Sequence, residues 1–158
     1  MKSKFAVLTA LAISVSLTGC GFLDRPKEAP RDESGKVVES AQADVFSLKI
    51  GDCTGQLDEG DISESLLIPC EEPHYWEVFV SQQLKDDELP ADVEDQALEF
   101  CNSQFTNFIG LSFDESVYEF FYMYPTPDTW KYAHDREILC LVGSDAGGLV
   151  GSLKDVAA

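Results

Sequence analysis

The spacing of apolar and polar residues divides the chain into short strands and one long helix. Val45-Phe46-Ser47-Leu48-Lys49-Ile50 alternates with a period of two and stops at Gly51-Asp52, which predicts a short strand and a turn. Residues 54–65 read as a polar loop, and Leu66-Leu67-Ile68 before Pro69 as a second strand. From His74 to Leu84, Trp76, Val78 and Val80 fall on one face of a strand and Tyr75, Glu77 and Phe79 on the other, with Glu77 set among apolar neighbours. Between Ala91 and Phe108, Val93, Ala97, Cys101, Phe105 and Phe108 recur at helical spacing, with Asp92 and Gly110 as caps. Tyr118 to Tyr124 is an aromatic strand ending at Pro125. Thr126-Pro127 starts a short helix through Trp130, and Ile138 to Val142 is another strand. After Gly147-Gly148, Leu149 to Leu153 is expected as a last edge strand. One main helix on a small antiparallel sheet gives an α+β domain over residues 45–158.

The first 44 residues follow a different pattern. Lys2 and Lys4 precede a run of 13 mostly apolar residues, Phe5 to Leu17, too short for the roughly 20 that a spanning helix needs. It fits the apolar core of a secretory signal. Leu17-Thr18-Gly19-Cys20 closes it and resembles the lipobox of bacterial lipoproteins, which implies a signal peptide over 1–19 and a diacylglyceryl group on Cys20. Two acyl chains are about the minimum for stable membrane attachment. Residues 20–44 are rich in Pro, Glu, Asp, Lys and Ser and read as a flexible tether, spanning roughly 25–30 Å as a coil. The expected location is the outer face of the cell membrane.

Charge narrows the partners. The chain carries 11 basic and 29 acidic residues, a formal −18, and loss of Lys2 and Lys4 with the leader takes this to −20. Such a surface repels nucleic acid, so no nucleic-acid role is expected. Beyond Cys20 stand Cys53, Cys70, Cys101 and Cys140, an even set that fits two disulfides in an exported protein. Of three possible pairings we favour Cys53–Cys70, which closes a short acidic loop, and Cys101–Cys140, which ties the helix to a strand. No Cys-x-x-Cys is present, so zinc-ribbon and thioredoxin-like sites have no support.

Gly51-Asp52-Cys53, Cys70-Glu71-Glu72-Pro73-His74-Tyr75-Trp76-Glu77-Val78, Cys101, Pro125, Trp130, Asp135-Arg136, Cys140 and Gly151-Ser152-Leu153 together resemble the septum formation domain family of actinobacterial envelope proteins. The likeness covers most of residues 45–153 and implies an exported or membrane-linked domain with a link to cell division. It names no biochemical activity. Two positions depart from the family pattern: Tyr75 follows the histidine where an acid is usual, and His134 replaces a glycine before Asp135-Arg136, so a different turn is expected there.

Candidate chemistry is sparse. His74 with Glu72 or Glu77 would suit the acid–base work of an envelope hydrolase, but no nucleophile stands at a telling spacing. We read His74, Glu77, Asp135 and Arg136 as structural polar groups, with Glu77 and Arg136 forming an ion pair inside the sheet. His74, His134 and Asp135 lack the short spacing of a zinc site, and Asp58-Glu59-Gly60-Asp61 does not follow the EF-hand order, so no metal and no cofactor is expected. The aromatic run is too large to bury completely in so small a domain. Phe121, Tyr122, Tyr124 and Trp130 are therefore the expected partner surface, for an envelope protein or wall polymer.

Overall fold

A computed structural model describes residues 27–57, 60 and 62–158. Residues 1–26, with the leader, Cys20 and the start of the expected tether, lie outside the described residues, as do Asp58, Glu59 and Asp61. The described chain forms one curled antiparallel sheet of six strands: β1 (Ala41–Asp44), β2 (Cys53–Thr54), β3 (Glu64–Ile68), β4 (Trp76–Gln83), β5 (Glu119–Met123) and β6 (Glu137–Gly143). Their spatial order is β1-β3-β2-β4-β6-β5, so β1 and β5 are the edges. The main helix, α1 (Val93–Ile109), buries Val93, Ala97, Cys101, Phe105 and Ile109; the expected face holds through Phe105, while Phe108 is half-buried beside Phe79 and Ile109 takes the inward place. Gly110 ends it in a left-handed conformation (φ 93°) that glycine adopts without strain.

Two apolar layers result. On the helix side, Phe79, Cys101, Phe105, Ile138, Cys140, Val142 and Leu153 pack together. On the opposite face, Trp76, Val78, Leu139 and Leu141 pack with Leu48, Leu57, Ala29 and Val37. This second layer corrects the expected tether. Residues 27–44 are not a free linker: Arg31 and Val37 bridge, Ala29 and Val37 are buried, and residues 41–44 form the edge strand β1. Arg31 fixes the segment by a two-pronged ion pair to Asp52, 2.6 Å on each side, with both side chains at most 10% exposed. Polar composition concealed this docking because so few apolar contacts, with one buried pair, hold it.

The remaining differences have local causes. Val45–Ser47 is a 3₁₀ turn rather than a strand, because the Asp44 side chain accepts from the Phe46 N–H and caps it. A bulge in β4 shifts the register between Val78, opposite Leu141, and Val80, opposite Cys140. Val80 therefore joins the helix-side layer instead of sharing a face with Trp76 and Val78. Residues 149–153 form no strand; only Leu149 bridges, to His74. Gly143 in β6 is required by close approach, since a β-carbon there would collide with the Tyr75 carbonyl.

Both favoured disulfides are present. Cys53–Cys70 joins the β2–β3 region, and Cys101–Cys140 joins α1 to β6, with Cα separations of 5.2 and 5.6 Å. Such bonds are compatible with a location outside the cytoplasm.

Candidate functional site

The groups expected to matter fall into two places. His74 is completely buried and exchanges two backbone hydrogen bonds with Leu149. Its Nδ1 lies 2.9 Å from the Glu72 carbonyl oxygen, an acceptor only, so Nδ1 carries the proton. Glu77, 4% exposed, accepts from Ser152 Oγ and the Leu153 N–H, each at 2.7 Å. The expected Glu77–Arg136 pair does not form. Glu77 instead anchors the C-terminal tail under the helix layer, while Arg136 donates to the Trp130 and Asp135 carbonyls and lies 3.5 Å above the Trp130 ring. The Ser152-Leu153 partner stands some 75 residues further along the chain, which no local spacing announces.

Trp130 is also a correction. It is 8% exposed, capped by Arg136, and offers no partner surface. It sits in a short wide turn, Thr129–Ala133, whose start is held as expected by Thr126: the Thr129 N–H donates to Thr126 Oγ1, and the Trp130 N–H to the Thr126 carbonyl. His134 closes that turn in the left-handed region (φ 55°), so the backbone keeps a conformation suited to glycine. Asp135 then accepts from Thr129 Oγ1 and the Glu137 N–H, fixing the entry to β6.

Phe121, Tyr122 and Tyr124 do come together at a surface. They line a groove of about 760 Å³ beside β5. Phe120 and Tyr122 pack toward α1, Phe121 and Met123 toward the opposite layer, and each of the four remains half-buried. Phe121 leans on Trp76 (centroids 6.1 Å apart), and Tyr122 stacks on Tyr124 (6.0 Å, 27° between planes). Val45, Phe46, Ile62 and Ser63 form the facing wall, brought there by the curl of the sheet. Phe46 is 51% exposed. The rim carries Glu94, Asp128, Asp135 and Glu137, and no lysine or arginine is among the described lining residues. Burial, reinforced by the Glu94 carboxylate, pushes the Tyr124 phenol above its ordinary value.

The aromatic wall is legible in the sequence; Val45, Phe46, Ile62 and the acidic rim are not. The aromatic run is the signal; the facing wall lies more than fifty residues away and carries no signal of its own. His74 and Glu77 do not line the groove. Among the described residues, no group of three or more His, Cys, Asp or Glu is placed to hold a metal ion, and no helix is long and apolar enough to cross a membrane. Comparison with protein-family models, with curated proteins and with solved structures finds no match to this chain.

Proposed function

We propose that this chain is a non-catalytic binding domain, held on the outer face of the cell membrane by a lipid on Cys20, that engages an envelope or cell-division partner through the β5 groove. The observation that carries this reading is the groove itself: half-exposed aromatic side chains on a sheet edge, rimmed by carboxylates. Apolar concavities with a few directed polar groups are the usual form of a binding site. The complete burial of His74, with Nδ1 on the Glu72 carbonyl, and the engagement of both Glu77 oxygens favour it over a hydrolase built on those residues. The lipobox-like Leu17-Thr18-Gly19-Cys20 and the resemblance to the septum formation family support the compartment and the division link.

Site-specific photocrosslinking in living cells tests it. A photoreactive phenylalanine analogue at Phe121 should trap a discrete adduct, while the same group at exposed Glu99 on α1 should not. Equal trapping at both positions, or none at Phe121, removes the groove as the binding face. Metabolic labelling with a fatty acid, lost in Cys20→Ser, tests the anchor separately.

A further inference from the structure

We propose that the groove binds its partner by strand addition: a cationic, extended peptide segment lies along the free edge of β5 and extends the sheet by one strand. The inference rests on the binding-face reading above and specifies the partner's chemistry. Among the described residues β5 pairs only with β6, so its other edge presents a row of backbone N–H and C=O groups. Protected edges commonly carry a lysine, a proline or a pronounced bulge. Within β5 the sequence is Glu-Phe-Phe-Tyr-Met, its pairing with β6 runs without a register shift, and its one charge is Glu119 at the start.

The space beside that edge has the right form. The five residues of β5 extend for about 16 Å at roughly 3.3 Å per residue. The groove is walled by β5 on one side and by Val45, Phe46, Ile62 and Ser63, next to β1 and β3, on the other. An added strand would thus sit at the seam of the curled sheet, between its two edges, with alternate side chains meeting Phe121 and Met123 on one face and Phe120 and Tyr122 on the other.

Charge selects the occupant. Glu94, Asp128, Asp135 and Glu137 line the groove, and the chain as a whole carries −18. A second copy brings the same acids and the same net charge to the seam, whereas lysine or arginine on an incoming strand meets them favourably.

Peptides of about six residues, alternating valine with lysine or valine with glutamate, test this by fluorescence anisotropy with the full-length oxidised chain. The lysine peptide should bind at least about tenfold more tightly than the glutamate one, and should weaken as salt is raised. Two further lysine peptides are methylated on alternate backbone nitrogens, in one register or the other. Only one register points its N–H groups at β5, so one peptide should keep its affinity and the other lose it. Equal behaviour of the two, whether both bind or both fail, overturns strand addition, as does equal binding of the glutamate peptide. Phe121→Lys should weaken the lysine peptide by about tenfold or more without changing the chain's circular dichroism. A stable dimer by sedimentation that the lysine peptide does not dissociate also overturns the proposal, in favour of pairing between copies. Crosslinking at Phe121 reads the binding face whatever the partner's backbone does, so the two proposals fail separately.

Discussion

The middle of the sheet and its β5 edge treat carboxylates in opposite ways. Around β2 and β4, Asp52 and Glu77 are buried, and both oxygens of each are engaged: Asp52 by Arg31 and the Lys49 N–H, Glu77 by Ser152 and Leu153. Around β5, Glu94, Asp128 and Glu137 stand on a groove wall beside half-exposed aromatic rings. A buried acid with a full set of donors rigidifies the chain, because removing it strands those donors away from water. An acid at an open rim leaves stability nearly unchanged and sets a local field instead. The contrast divides the molecule into a locked centre and an edge free to recognise something, and mutation can challenge each half.

The largest effect is expected in the locked centre at Cys101–Cys140, which closes 39 residues against 17 for Cys53–Cys70. In the chain-entropy account these loops contribute about 4 and about 3 kcal/mol. Replacing Cys101 and Cys140 together by alanine also leaves a gap between helix and sheet, so thermal unfolding should show the greater loss for this pair. Equal losses would mean that the clamp acts on local geometry rather than on the unfolded chain.

Glu77 comes next and discriminates between two kinds of buried acid. Glu77→Ala leaves the Leu153 N–H and Ser152 Oγ without their acceptor in the core and should cost about 3 kcal/mol. Glu77→Gln should cost only about 1 kcal/mol, because an amide oxygen still accepts from Leu153 and the amide nitrogen can donate to Ser152. Had Glu77 paired with Arg136, glutamine would have cost about as much as alanine, because either leaves a buried guanidinium unpaired. Urea titration of the two variants separates these outcomes.

The locked centre was legible from the chain where geometry is local and obscure where it is not. Helical spacing identified the inward face of α1, and with it the cysteine able to reach a strand. The alternation of β4 was legible up to the bulge at Val78, beyond which one extra residue transfers Val80 to the other face. The docking of residues 27–44 and the partners of Glu77 depend on contacts between distant segments, such as Arg31 with Asp52 and Glu77 with Ser152. Their composition is that of a linker and a tail. At the edge, the run from Phe120 to Tyr124 announced exposed rings, but Trp130, next to Arg136 in space and six residues before it in sequence, was hidden by the cation that covers it.

A smaller effect is expected at Asp52. Asp52→Ala removes the partner of a part-buried guanidinium and the acceptor of the Lys49 N–H, for a loss of about 2 kcal/mol. The Asp52 carboxylate holds the Arg31 pKa above its ordinary value; a guanidinium stays charged without it, so in the variant that charge keeps only the Gly35 and Ser47 carbonyls. The loss should concentrate in residues 27–44, read as faster amide exchange at Val38, whose N–H donates to the Pro30 carbonyl. Uniform acceleration through α1 would instead make this segment part of the main cooperative unit.

The smallest effect on stability, and the most informative for the edge, is expected at Glu94. Burial, then the nearby Glu94 carboxylate, raise the Tyr124 phenol pKa. The folded state therefore holds that proton more tightly than the unfolded chain does, so this contribution is complete below the ordinary phenol value of about 10 and is lost as pH rises through the raised one. Glu94→Gln removes the electrostatic share and leaves burial, so NMR of the Tyr124 ring should show its titration moving down toward, but not reaching, the ordinary value. At neutral pH the variant should be within about 0.5 kcal/mol of the parent, since an exposed rim acid holds nothing in place. The same substitution should weaken the lysine peptide, because the field that shifts Tyr124 is the field that the peptide meets. A Glu94 variant that loses stability as Glu77→Ala does would place this acid with the locked centre and dissolve the division between the centre of the sheet and its edge.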